Sequence, residues 1–89
     1  MTDQLLRLTV RDGLAGVNRV VGLLRHRGTK PQAITARVTS KTDTWVVEHR
    51  LIATEEQTAL IHRQLERLPT VTAVQHGPAL TASTREHWR

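Results

Sequence analysis

The chain has 89 residues, of which 13 are Lys or Arg and 8 are Asp or Glu, giving a net charge of +5. That length suits one domain burying roughly 60% of its unfolded surface. With two Trp, no Phe and no Tyr, its aliphatic core is thin, so a homodimer or a larger partner is expected. The absence of cysteine excludes disulfides, thiolate metal sites and thiol nucleophiles.

Residues 4–11 read as a strand, with Leu6, Leu8 and Val10 on one face and Arg7, Thr9 and Arg11 on the other. Asp12-Gly13 is a turn signal. A helix is predicted from Leu14 to Arg27, because Leu14, Val17, Val20, Val21 and Leu24 repeat at a period near 3.6. Gly16 and Gly22 each cost such a helix about 1 kcal/mol against Ala, which points to close backbone approach. The basic run Arg25-His26-Arg27 suits the negative end of the helix, and Gly28 suits the residue just beyond it.

Pro31 opens an extended segment in which Ile34, Ala36 and Val38 alternate with Thr35, Arg37 and Thr39. Residues 40–44 are a polar connection of hairpin length. The next strand, Trp45 to Ala53, sets Trp45, Val47, His49 and Leu51 against Val46, Glu48, Arg50 and Ile52, and both sets contain apolar residues. Thr54-Glu-Glu-Gln57 is a capping box opening a helix that runs to about Leu68, with Ile61, Leu65 and Leu68 as its buried row. Val71–His76 is a short last strand, and Gly77-Pro78 closes the domain at residues 1–77. A tail, 78–89, follows and carries Trp88.

The order βαββαβ predicts an α+β, ferredoxin-like fold: a four-stranded antiparallel sheet with two helices on one face. A strand–loop–helix junction leaves backbone N–H groups unpaired at the helix start, where an anion or a carboxylate can bind. The first such junction is therefore the first candidate site.

No enzymatic constellation stands out. The five His (26, 49, 62, 76, 87) show no metal-ligand spacing and no acidic partner at a matching interval. Asp43, Glu48, Glu55, Glu56 and Glu66 are scattered, and there is no nucleophile motif or phosphate-binding Gly-rich loop. Arg7, Arg37 and Arg50 are expected on the open sheet face. An RNA-binding domain with this element order needs aromatic side chains there, and only Trp45 can contribute one. No apolar run nears the roughly 20 residues of a membrane span. No leader peptide is expected, so the chain is placed in the cytoplasm.

Leu8-Thr-Val-Arg-Asp12, Val20-Val-Gly-Leu-Leu24 and Arg27-Gly28 resemble the ACT domain, and more narrowly the regulatory (small) subunit of acetohydroxyacid synthase, also called acetolactate synthase. The similarity continues through Trp45-Val-Val and Gln64-Leu-Glu-Arg-Leu-Pro-Thr-Val. It implies a non-catalytic subunit that dimerises, then binds and activates the catalytic subunit in branched-chain amino acid biosynthesis. It places thiamine diphosphate, Mg²⁺ and flavin on that partner, so no cofactor is expected on this chain. It further implies a regulatory amino acid, usually valine, held across a dimer interface by the first loop and helix start. Here those positions are Asp12, Gly13, Leu14, Ala15, Gly16 and Val17, with Lys30 from the next strand. Asp12 stands where the family has Asn, Leu14 where it has Pro, Ala15 where it has Gly, and Lys30-Pro31 where it has Asn-Ile. Asp12 and Lys30 can hold the ammonium and carboxylate of a free amino acid. Alternatively they pair with each other or are solvated, and the site is empty. A stand-alone amino-acid-sensing ACT module acting on another protein is the alternative function, and an RNA-binding domain is a third.

Overall fold

The computed structural model of the protein describes residues 2–26, 30–41 and 43–79. Arg27 and Gly28, where the sequence places the end of the first helix, and residues 80–89 of the tail, with Trp88, lie outside the described residues.

Among the described residues six elements follow in the expected order: β1 (Thr2–Val10), α1 (Gly13–His26), β2 (Lys30–Val38), β3 (Trp45–Ala53), α2 (Glu55–Glu66) and β4 (Val71–Pro78). All strand pairings are antiparallel and the sheet order is β2-β3-β1-β4. This is the ferredoxin-like arrangement, with α1 packed on β1 and β3 and α2 packed on β1 and β4.

The alternation in β1 buries Gln4, Leu6, Leu8 and Val10. The register puts Leu6 opposite His49, Leu8 opposite Val47 and Val10 opposite Trp45. The tertiary structure thereby chooses the inner face of β3, which carries Trp45, Val47, His49, Leu51 and Ala53. From the helices, Val17, Val20, Leu24, Ile61 and Leu65 close the core. Each fully buried Leu, Ile or Val contributes about 1.5–3 kcal/mol of transfer free energy.

Several expected details change. Leu14 starts the apolar stripe of α1 but is 61% exposed. Helix α2 stops at Glu66, where Arg67 caps it with its N–H on the Gln64 and Leu65 carbonyls; Pro69 follows too closely for another turn. Strand β4 runs two residues further than expected, pairing Gly77 with Leu5 and Pro78 with Gln4. The capping box forms: Thr54 Oγ1 accepts from the Gln57 N–H at 3.0 Å, and the Thr54 N–H donates to Gln57 Oε1 at 2.9 Å.

Edge strand β2 is exposed from Pro31 to Val38. It pairs with β3 on one side, and the register slips between Pro31 and Ala33, a local irregularity next to a residue that lacks an N–H. Ile34 and Val38, on the helix side of the sheet, are left open to solvent.

Candidate functional site at the first loop and the α1–β2 groove

After Val10 the chain turns through two successive left-handed residues, Asp12 (φ +70°) and Gly13 (φ +61°). Asp tolerates this region through its short polar side chain, and Gly enters it without a steric penalty. The turn is held from both sides. The Gly13 N–H donates to the Asp43 carbonyl at 2.8 Å, and the Arg11 N–H donates to the Thr70 carbonyl at 2.8 Å. Arg11 Nε also donates to the Pro69 carbonyl at 3.1 Å.

Gly16 explains how α1 can start so close to β1. A Cβ there would collide with the Arg11 carbonyl oxygen and sit 2.7 Å from Val10 Cγ1. Gly22 differs from expectation: a Cβ would meet open space, so no close approach requires glycine at that position.

The structure sorts the candidate ligand residues into two groups. Asp12, Leu14 and Ala15 are exposed at the helix start, with Gly13 half-buried beside them. Gly16 and Val17 are buried, Gly16 against β1 and Val17 in the core. Lys30 is not brought to this group. It lies opposite Ile52, which in turn lies opposite Asp3, near the start of β1. Asp12 follows the other end of β1, roughly 25 Å along the strands at about 3.3 Å per residue. Within one chain, therefore, the backbone sets Asp12 and Lys30 toward opposite ends of the sheet.

Lys30 instead begins the strand that bounds a second feature, a groove of about 230 Å³ lined by Val21, Leu24, Arg25, Pro31, Ile34 and His49. His49 is 1% exposed and neither ring nitrogen has a hydrogen-bond partner among the described residues. Burial holds its proton affinity below the ordinary imidazole value, which keeps it neutral. In the sequence His49 carries no metal-ligand spacing; its burial follows from the choice of inner face on β3.

The open face of the sheet carries Arg7, Arg37 and Arg50 as expected, but acids are interleaved with them. Arg50 Nη2 lies 2.6 Å from Asp3 Oδ2 and its Nε donates to Oδ1 at 3.2 Å. The guanidinium holds the Asp3 carboxyl below the usual carboxylate range, and the carboxylate raises Arg50 in turn. Glu48 lies directly opposite Arg7. Trp45 belongs to the helix side, packed against the core beside Val10. Among the described residues the open face thus has no Trp, Phe or Tyr on which a base can stack, which weighs against RNA.

The remaining departure concerns histidine. His62 does have an acid at a helical interval: its Nε2 is 3.5 Å from Glu66 Oε2, four residues on. Its Nδ1 lies 2.7 Å from Nδ1 of His76 on β4. Fourteen residues separate the two in sequence, so only strand pairing and helix packing reveal the contact. Among the described residues no helix is long and apolar enough to cross a membrane.

The fold is shared with the ACT domain from GTP pyrophosphokinase of Chlorobium tepidum, at a TM-score of 0.73 and 13% identity, covering 85% of this chain and 97% of that one. It is shared also with the C-terminal domain of the MgtC protein from Mycobacterium tuberculosis, at a TM-score of 0.72 and 17% identity, covering 92% and 94%. An uncharacterized protein from Thermotoga maritima gives a TM-score of 0.72 and 14% identity, covering 89% and 98%. At such identities the likeness is one of fold alone. No curated protein sequence matches the chain. Residues 14–74, from the start of α1 into β4, match the ACT domain family. The four-stranded sheet, its two helices and that match agree: the chain belongs to the ACT domain family, whose members are regulatory, non-catalytic modules.

Proposed function

We propose that the chain is a non-catalytic regulatory subunit that binds and activates the catalytic subunit of acetolactate synthase, with the first loop as the seat of an amino-acid effector such as valine. The link to this enzyme rests on the resemblance of residues 8–28 and of the later Trp45-Val-Val and Gln64–Val71 runs. The observation that carries a role through other chains is the β2 edge, where Ile34 and Val38 expose apolar surface on a strand that pairs on one side only among the described residues. Such an edge is a template for pairing with another chain.

Two copies joined antiparallel along Ala33–Val38 form one eight-stranded sheet. Because the strands then run in opposite directions, the start of one β2 meets the end of the other. Lys30 of one copy comes to the end of the sheet where Asp12 of the other lies. An amino acid bound between them has its ammonium at Asp12 and its carboxylate at Lys30, and its binding stabilises the pair. Activation of the catalytic subunit requires contact with one of its conformations more than another, and an effector shifts that equilibrium only through such a difference.

The test is reconstitution. The synthase is assayed with and without the chain, and valine is titrated calorimetrically against the complex. Activation by the chain, and heat of valine binding abolished by Asp12→Ala, are expected. Equal activity and equal stability of the synthase without the chain overturn the partnership. A second reading, an amino-acid sensor acting on a different enzyme, is favoured by the shared fold with the ACT domain of a GTP pyrophosphokinase. Valine binding without any effect on the synthase supports that reading.

A further inference from the structure

The His62–His76 contact joins α2 to β4, at the edge of the sheet opposite β2. The two rings meet edge to face, with centroids 4.8 Å apart and planes at 84°. With both rings neutral, a 2.7 Å Nδ1–Nδ1 separation means that one nitrogen carries the hydrogen and the other accepts it. Glu66 favours one arrangement. Its carboxylate near His62 Nε2 favours the hydrogen on that nitrogen, and leaves the Nδ1 lone pair directed at His76. A carboxylate behind an imidazole, with the other ring nitrogen facing a second imidazole, is the arrangement by which proteins orient histidine ligands toward a cation.

We propose that Nδ1 of His62 and Nδ1 of His76 bind one divalent transition cation of the zinc, nickel and copper class, with water completing its coordination. Imidazole nitrogen selects these ions over magnesium and calcium. On binding, His76 moves its hydrogen from Nδ1 to Nε2, so both Nδ1 lone pairs face the cation and no proton is lost overall. Glu55 lines the cleft beside His76, together with Gln4. Metal–nitrogen distances of about 2.0–2.1 Å in a tetrahedral site separate two ligand nitrogens by about 3.4 Å. The rings must therefore part by roughly 0.7 Å, and both are only partly buried. Among the described residues no group of three or more His, Cys, Asp or Glu is arranged to hold a metal. The site is accordingly a two-histidine clip whose ion exchanges with solvent, and Glu66 is a positioning residue.

The experiment titrates zinc chloride into the full chain, followed by calorimetry and by the imidazole nitrogen resonances. One zinc per chain is expected, with the His62 and His76 signals moving together. His62→Gln and His76→Gln are each expected to weaken binding at least tenfold, and Glu66→Gln about tenfold. His26→Gln and His87→Gln are expected to leave it unchanged. His62→Gln, on the helix surface, keeps the test valid where His76→Gln disturbs the fold. No binding at millimolar zinc, equal binding by His62→Gln, or shifts confined to His26 and His87 overturn the proposal.

Discussion

Ile34 and His49 stand directly opposite each other in the β2–β3 ladder, on the same face of the sheet, yet Ile34 is 41% exposed and His49 is 1% exposed. The boundary between covered and bare sheet runs between these two residues. Helix α1 lies over β1 and β3 and ends its cover there. The imidazole is buried without a hydrogen-bond partner among the described residues, while the apolar side chain beside it faces water.

Such a buried, unpaired polar group costs stability, and removing it recovers that cost. His49→Leu is expected to raise the free energy of unfolding by on the order of 1 kcal/mol or more. Urea unfolding followed by circular dichroism measures it. A lower midpoint for His49→Leu means that His49 has a partner in solution.

The same residue sets a pH dependence. Unfolded, His49 takes up a proton near the usual imidazole value of 6.5; folded, it does so only at lower pH. Between those two values the unfolded chain binds more protons, so stability rises with pH through that window. The stability is fully present above about pH 6.5 and falls as the medium is acidified toward the folded value. Urea midpoints at about pH 7.5 and about pH 5.5 should differ more in the wild type than in His49→Leu.

Two glycines in one helix should respond oppositely to alanine. Gly16→Ala drives a methyl group into the Arg11 carbonyl and is expected to cost at least about 1–3 kcal/mol. Gly22→Ala faces open space and gains helix propensity, up to about 1 kcal/mol. Thermal melts of the two variants give the signs directly.

The capping box makes a further stability prediction. Thr54→Ala removes the acceptor of the Gln57 N–H and should cost about 1 kcal/mol. Thr54→Ala combined with Gln57→Ala should cost less than the sum of the two single changes, because each partner serves the other. Additive losses in denaturant titrations argue that the two bonds act separately.

Association through β2 is tested at its exposed apolar residues. Ile34→Lys with Val38→Lys places two charges on the edge while leaving the core residues untouched. Sedimentation velocity is expected to give a dimer for the wild type and a monomer for the double variant, with the same far-ultraviolet spectrum. A dimer that survives both lysines uses another surface.

Much of the architecture is legible from local pattern. The switch of apolar period from 2 near Leu6, Leu8 and Val10 to about 3.6 near Val17, Val20 and Leu24 marks the first strand and helix. Thr54 and Gln57 mark the start of the second helix, and Gly16 marks a close approach to the strand. These signals lie within one or two turns of chain, where spacing alone decides which side chains share a face. The inner face of β3 is different. Trp45, Val47 and Leu51 on one side compete with Val46 and Ile52 on the other, and only the register with β1 selects between them. From that choice follow the burial of His49, the departure of Trp45 from the open face, and the pairing of Asp3 with Arg50. The distance between Asp12 and Lys30, and the meeting of His62 with His76, depend likewise on which strands lie side by side. Residues far apart in the chain acquire neighbours through the order β2-β3-β1-β4, a property of the assembled sheet that no run of adjacent residues encodes.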